Sequence, residues 1–216
     1  MANIFAPNGF VESYRLGGAP TEQPNKRYIL NTNSTPIYFG DPVSASGGYI
    51  QQATAGTTPI VGVFAGCTYN SAAAKKIVSF RAWLGLTADV VLPASGATGY
   101  EVSCLVVDDP LMVFKVQSQQ ITPGTPAGTP PYSPALIGQN VQFSYANPPS
   151  GQPNALVGNS VASIDISTVA GTTTLPFRIV DIVRDPPGGP GTDATSAGTY
   201  FYVAFNNQAF KQLAPA

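Results

Sequence analysis

The stretch DDPLMVFKVQ at residues 108–117 is a turn followed by a β-strand, and it indicates the fold class. Asp-Pro opens turns because proline fixes φ and the aspartate side chain bonds to the nearby backbone. The apolar run behind it is short and contains β-branched and aromatic residues, as a buried strand does. Residues 40–63 also combine a turn with a short apolar strand: GDPV lies at one end and PIVGV at the other. Both stretches predict loop–strand units of an all-β protein.

The rest of the chain continues this pattern of short strands and abundant turns. There are 22 glycines and 21 prolines among 216 residues, which favours turns over long helices. Only residues 71–76 have the composition of a helical turn, and Gly47-Gly48 is typical of a hairpin. The sequence predicts an all-β fold, either an antiparallel β-barrel or a jelly-roll-like β-sandwich, with long Pro/Gly-rich loops. Strands are predicted at residues 28–30, 35–39, 49–53, 59–64, 77–84, 89–93, 100–107, 111–117, 140–145, 160–166, 175–183 and 200–205.

The chain is predicted to consist of an N-terminal arm and a β-rich body. Residues 1–27 contain scattered proline and glycine and follow neither a helical nor a strand period, so we expect an extended arm. Residues 28–216 form the predicted body, in which the Pro-rich stretch 118–156 is expected to hold two elaborated loops around one strand. Three aromatic residues of the arm are predicted to bind a partner: Phe5, Phe10 and Tyr14.

The low fraction of charged residues is the unusual feature of the composition. Only 10% of residues are Asp, Glu, Lys or Arg, against about 25% in a typical globular protein. Long stretches, from Asp41 to Lys75 and from Lys115 to Asp165, contain no charged residue between their ends. Such stretches fit a surface covered by uncharged polar residues, and they also fit contacts with other chains, because interface cores are depleted in Lys, Glu and Asp. On the second interpretation the protein is a homo-oligomer.

The charge balance also bears on the class of partner. A net charge of −1 offers no basic cluster for phosphate backbones, so nucleic acid is not expected as a partner. No polybasic segment points to an anionic membrane, and no stretch approaches the ~20 apolar residues of a membrane span. The N-terminal MANIFAPNGF lacks the basic and apolar regions of a signal peptide. We therefore expect synthesis in a cytoplasm, without ordinary secretion.

Residues that carry catalysis are scarce. The absence of histidine excludes Ser-His-Asp and Cys-His catalysis as well as His-based zinc sites, and Cys67 and Cys104 cannot complete a zinc site alone. Asp108 and Asp109 are the one adjacent carboxylate pair that suggests acid/base chemistry. Consecutive strand residues point to opposite faces, however, and Asp-Pro is a common turn opener. The sequence predicts no enzyme, no cofactor and no metal.

Several structural motifs together resemble those of the cement, or decoration, proteins of tailed-bacteriophage capsids. The resemblance covers most of the chain and is weakest in the Pro-rich residues 118–156. Its motifs are structural and mark no catalytic site. They are Pro7-Asn8-Gly9-Phe10, Arg27-Tyr28, Ile37-Tyr38-Phe39-Gly40-Asp41-Pro42-Val43, Ile60-Val61-Gly62-Val63, Asp108-Asp109-Pro110 with Val113-Phe114-Lys115-Val116-Gln117, and Leu175-Pro176-Phe177-Arg178-Ile179-Val180.

The resemblance implies a structural virion protein on the outside of an icosahedral capsid, assembled in the host cytoplasm. Such proteins are dimers or trimers that clamp neighbouring major capsid proteins, so the implied partners are the major capsid protein and further copies of this chain, with a trimer favoured over a dimer. Another virion module, such as a tail or head–tail fibre part, is the first alternative. A carboxylate-dependent hydrolase or a sugar-binding module is the second.

Overall fold

The computed structural model describes residues 6–18, 24–93, 101–119, 134–145, 157–184 and 198–210. Within these ranges the chain forms twelve β-strands and two short 3-10 turns, Thr87–Asp89 and Pro134–Leu136. No helix there is long and apolar enough to cross a membrane. The strands are β1 (Val11–Arg15), β2 (Asn25–Ile29), β3 (Pro42–Ser46), β4 (Tyr49–Gln52), β5 (Gly62–Ser71), β6 (Lys76–Phe80), β7 (Val102–Val107), β8 (Met112–Gln117), β9 (Asn140–Ser144), β10 (Ser163–Ala170), β11 (Phe177–Ile182) and β12 (Tyr200–Phe205).

The strands make two antiparallel six-stranded sheets, which confirms the all-β prediction in its β-sandwich form. Sheet A has the order β1-β8-β12-β11-β9-β10. Sheet B has the order β2-β7-β5-β3-β4, and β6 pairs with the far half of β5. Neither sheet is a closed barrel. Sheet B uses one continuous piece of chain, from β2 to β7, whereas sheet A combines β1 with the strands that follow β7.

Sheet A is held together by phenylalanines on its inner face. The ring of Phe114 meets that of Phe205 edge-on at 5.1 Å, and Phe177 stacks on Phe205 at 5.8 Å. These rings come from β8, β11 and β12, which are neighbours in the sheet although they are far apart in sequence. The edge strand β10 also lies close to the end of β8. There the N–H of Gln119, just after β8, donates to the Ile164 carbonyl of β10 at 2.7 Å. Burial of these rings stabilises the sheet through the hydrophobic effect.

Sheet B encloses a second cluster centred on Trp83 and Phe64, both fully buried. The indole N–H of Trp83 donates to the Asn33 carbonyl at 2.9 Å, so the polar atom of this large side chain is satisfied inside the core. Tyr69 packs edge-on against the indole at 5.6 Å. The backbones of Trp83 and Ile37 exchange two hydrogen bonds, which fixes the loop before β3 over the cluster.

Cys67 and Cys104 lie directly opposite each other on β5 and β7, and both are free and buried in the core of sheet B. Burial raises the pKa of each thiol to about 12, and for Cys104 the neighbouring Cys67 adds to the effect. The thiolate is the reactive form, so both side chains are expected to be inert in the folded protein.

We predict that a thiol reagent at mildly alkaline pH labels neither cysteine in the native protein and labels both after denaturation. Spectrophotometric thiol counting checks this result. Labelling of one thiol in the native state would show that the cluster around Trp83 opens on the time scale of the assay, and Cys67→Ser and Cys104→Ser variants would identify which thiol reacted.

The turns agree with the sequence at some points and differ at others. Gly47 and Gly48 join β3 to β4 with φ of 57° and 88°, the conformation of a tight hairpin turn that favours glycine. Residues 72–75 form the turn of the β5–β6 hairpin, so the helical turn predicted at residues 71–76 is wrong. Residues 35–39 and 89–93 were predicted as strands, but each pairs with other segments only through single residues. They therefore form isolated bridges and not strands.

The N-terminal segment is part of the fold in its described portion, so the prediction of a separate arm at residues 1–27 is wrong there. β1 pairs along β8, and β2 begins at Asn25, before the predicted boundary of the body. Phe10 is 1% exposed, stacks on Phe177 at 4.3 Å and meets Phe114 edge-on. The ring of Phe10 therefore fills the core of sheet A and is not available as a partner anchor.

A β-bulge explains why β1 was not predicted as a strand from the sequence. The register against β8 shifts between Glu12 and Tyr14, so Ser13 is an extra residue and the alternation of side chains is broken. Just before the strand, Gly9 has φ of 70°, and a Cβ atom there would lie 2.6 Å from the Cβ of Ser160. Glycine is thus required where the chain turns to insert Phe10.

Two other predicted features lie wholly or partly outside the described residues. Phe5 and much of the Pro-rich stretch 118–156 lie outside the described residues. The strand predicted inside that stretch is present as β9, from Asn140 to Ser144.

Candidate binding surface

The outer side of sheet A carries a group of tyrosines with one basic and one acidic neighbour. On β12 the residues alternate, so Phe201 and Val203 enter the core while the tyrosines before and between them face outward. Cross-strand register places Tyr202 beside Lys115 on β8 and Asp181 on β11. We call this surface the tyrosine face; its members are Tyr14, Lys115, Asp181, Tyr200 and Tyr202.

The aromatic rings of the tyrosine face contact one another and a cation. Tyr14 meets Tyr202 edge-on, with ring centroids 5.6 Å apart and planes at 68°. The Lys115 ammonium lies 4.8 Å from the centre of the Tyr200 ring, a cation–π contact that holds the lysine stem along the sheet. Tyr14 is 43% exposed, whereas the other two rings are half-buried. The face is therefore partly preorganised and still open to a partner.

Two phenols of this surface, Tyr14 and Tyr200, have raised pKa values and are neutral at physiological pH. Partial burial raises the pKa of Tyr14, and the negative charge of Asp181 and the neighbouring Tyr202 raise it further. Burial likewise raises the pKa of Tyr200. These two phenols are thus available as hydrogen-bond donors, and their rings offer apolar area at a small loss of conformational entropy.

The structure separates the three aromatic residues that the sequence grouped together. Tyr14 lies on an exposed face, Phe10 is in the core, and Phe5 lies outside the described residues. The sequence reading missed Tyr200, Tyr202 and Lys115 as members of the same surface. The alternation of residues 200–205, Tyr-Phe-Tyr-Val-Ala-Phe, was the available signal, since it places both tyrosines on one side of β12.

Asp108 and Asp109 are engaged in structural ion pairs. The Asp108 carboxylate accepts hydrogen bonds from Arg27 and Asn25, each at 2.6 Å, and so fixes β2. Asp109 is ion-paired with Arg15 and so fixes β1. The two carboxylates point to different strands, one in each sheet. They join the β7–β8 turn to both N-terminal strands and do not form an acid/base pair.

Asp41 is the carboxylate whose environment is most altered. It is 1% exposed, and one of its oxygens accepts hydrogen bonds from the Tyr38 N–H and the Gln52 amide, both at 2.8 Å. Burial raises its pKa to about 6, against the lowering effect of Ser160, Tyr38 and Gln52. A raised pKa is common at catalytic sites, but this side chain is sealed from solvent and fastens the turn before β3.

In the part of the chain that the structure describes, the carboxylates Asp41, Asp108 and Asp109 have structural roles, which leaves the tyrosine face as the candidate site. Among the described residues no group of three or more His, Cys, Asp or Glu is placed to hold a metal ion. The tyrosine face has the composition of a protein-binding surface, since Tyr is enriched in interface cores and clusters among binding hot spots. Comparison with known proteins gave no relative: no family model, no curated protein and no solved structure matches this chain.

Proposed function

We propose that the protein is a structural virion protein that binds the outside of a phage capsid and cements neighbouring major capsid proteins. The observation that carries the proposal is the tyrosine face, an open aromatic surface on a rigid sheet in a chain with few charges. A cement protein needs a stiff body and a surface that gains energy by burying rings against another protein. The resemblance to decoration proteins supplies the identity of the partner, and it supports localisation on the virion.

The geometry of the rings favours a protein partner over a flat polysaccharide. A sugar chain stacks best on rings that lie in one plane, whereas Tyr14 and Tyr202 are inclined at 68°. Inclined rings with a lysine and an aspartate beside them suit an irregular surface of side chains, where each ring fills a separate depression. The sugar-binding alternative is therefore the less favoured one.

Self-association completes the proposal. A cement protein repeats its contacts through the symmetry of its own oligomer, and several weak attachments then act together. We propose a homo-oligomer, with a trimer favoured over a dimer, which binds the capsid without nucleic acid or membrane.

The test is attachment of purified variants to virions from which the native protein has been removed. Tyr14→Ala and Tyr202→Ala are each expected to weaken attachment roughly 30-fold, because truncation of a central aromatic residue in an interface removes about 2 kcal/mol. Binding is measured by co-sedimentation with the particles. Tyr49→Ala on β4 of sheet B is the matched control and is expected to bind as wild type does.

The outcomes distinguish the alternatives. Unchanged attachment of both tyrosine variants, with thermal melts like that of wild type, would contradict the role of the tyrosine face. Gold-labelled antibody located on tails in electron micrographs would replace the capsid proposal by the tail-module alternative. Retention on an insoluble polysaccharide that is lost in Tyr202→Ala would favour the sugar-binding alternative.

A further inference from the structure

We propose that the outer edge of β6 is a second binding site, at which an extended acidic segment of another protein adds as a further antiparallel strand of sheet B. This site lies on a different sheet from the tyrosine face, and its occupant is independent of the capsid. It is supported by the pairing of β6, by the side chains that this strand exposes, by a groove at its end and by the charges around it.

The backbone of β6 is paired on one side. Lys76 to Phe80 pair with β5 through five consecutive residues without a register shift. In the part of the chain that the structure describes, no other strand pairs with β6. Edge strands are normally protected by a proline, a bulge, an inward-pointing charge or a covering loop. Within β6 itself only Lys76 provides a charge, at the first position, and neither a proline nor a bulge is present.

The side chains of β6 are unusually apolar for an open edge. Ile77 is 73% exposed and Phe80 is 50% exposed. Val78 packs against the hydrophobic cluster of sheet B, so β6 is held in place and can act as a template for an added strand. A strand added beside it would cover Ile77 on one face and Phe80 on the other, while its backbone took up the free hydrogen-bonding groups of the edge.

A groove of about 230 Å³ continues from the C-terminal end of β6. It is lined on one side by Ser79, Phe80, Arg81, Ala82 and Leu84 and on the other by Val157 and Gly158. Gly158 keeps this groove open, since a Cβ atom there would lie 3.1 Å from the Cβ of Arg81. An added strand that extends past Phe80 therefore finds space for one more side chain, against the exposed Val157.

The charges around β6 indicate the chemistry of the occupant. Lys75 precedes the strand, Lys76 is its first residue and Arg81 follows it, so both ends are basic. Asp89 contacts this hairpin, but its carboxylate already accepts hydrogen bonds from the Ser71 hydroxyl and the Ala73 N–H. A partner strand with acidic residues at its two ends would be opposite these cations.

The same charges argue against a second copy of the chain as the occupant. Antiparallel self-pairing centred on Val78 would place Lys75 of one copy opposite Arg81 of the other, at both ends of the pair. Like charges directly opposite each other destabilise a strand pair. The geometry therefore points to a different protein, which supplies an alternating apolar segment flanked by Asp or Glu.

The probe for this site is the capped peptide acetyl-Glu-Val-Thr-Val-Thr-Glu-amide, whose terminal glutamates would lie opposite Arg81 and Lys76. Binding is followed by changes in the backbone amide signals of the full-length protein. We expect the shifts to concentrate on β6 and on the groove. A peptide with lysine in place of both glutamates is expected to bind about tenfold more weakly, and one with methylated backbone amides is expected not to bind.

Ile77→Glu is the variant that tests the site in the protein, since this exposed position tolerates a charge without loss of the fold and the added carboxylate repels the acidic peptide. It should abolish peptide binding, whereas Leu111→Glu, at the exposed turn before β8, should bind as wild type does. Absence of shifts on β6 with the glutamate peptide would overturn the proposal. It would also be overturned if Ile77→Glu dissociated an oligomer that the peptide does not disturb, because β6 would then be an interface between copies.

Discussion

Replacing Phe10 with alanine is expected to lower the free energy of unfolding by about 3–5 kcal/mol. The ring is 1% exposed and contacts Phe114 and Phe177, so its removal leaves a cavity in the centre of the sheet A cluster. Neighbouring rings on β8 and β11 are fixed by their strands and cannot collapse into this space. Chemical denaturation followed by tryptophan fluorescence and by circular dichroism measures the loss.

Tyr14→Ala is the matched control for this experiment, since it removes an aromatic ring of the same segment from the surface. We expect it to lower the free energy of unfolding by about 1 kcal/mol or less. If Phe10→Ala unfolded like wild type while Tyr14→Ala weakened attachment to particles, the segment before β2 would be a docking arm, as the sequence suggested. Equal and large losses in both variants would instead show that β1 as a whole is required for folding.

The second large effect is a pH dependence of stability that arises from Asp41. Its pKa is raised by burial from an ordinary value of 3.8 to about 6, so between these values the folded protein binds more protons than the unfolded chain. The free energy of unfolding therefore falls as pH rises through this interval, by about 3 kcal/mol in total. The stabilising contribution is present in full below pH 3.8 and is lost above pH 6.

Asp41→Asn should remove this slope, because asparagine stays neutral and its oxygen still accepts from the Tyr38 N–H and the Gln52 amide. At neutral pH the variant is expected to be more stable than wild type. Thermal melts of both proteins across the interval measure the difference, which isolates Asp41 from all other carboxylates. A variant whose stability changes with pH as that of wild type does would show that Asp41 is hydrated in the folded protein.

Strand positions in this chain are largely readable from local sequence. β12 has the predicted bounds, and β8 and β9 differ from the prediction by one residue at one end. Each has β-branched or aromatic residues at alternating positions and ends at a turn. Such segments carry their own signal, because the side-chain period and the burial pattern coincide. Residues 89–93 mislead for the same reason, since an apolar run predicts a strand whether or not a neighbour is available for pairing.

The partners of the strands, and therefore the binding surface, could not be read in this way. The tyrosine face requires Tyr14 and Tyr202 to meet across β8, although nearly the whole chain separates them in sequence. Register between distant strands depends on the packing of the complete sheet and leaves no local trace. The role of Asp108 was hidden likewise, because Arg27 and Asn25 approach it only after β2 has paired with β7.

The placement of β12 bears on the order in which the chain folds as it is synthesised. Every strand of sheet B has been made once β7 is complete, so this half can acquire its core while translation continues. Sheet A differs, because β12 lies between β8 and β11 and is the last strand to be made among those described. Until then Phe114 has no Phe205 to pack against, and both strands keep open edges that other chains could pair with. A nascent chain that pauses before β12 is therefore at its most aggregation-prone.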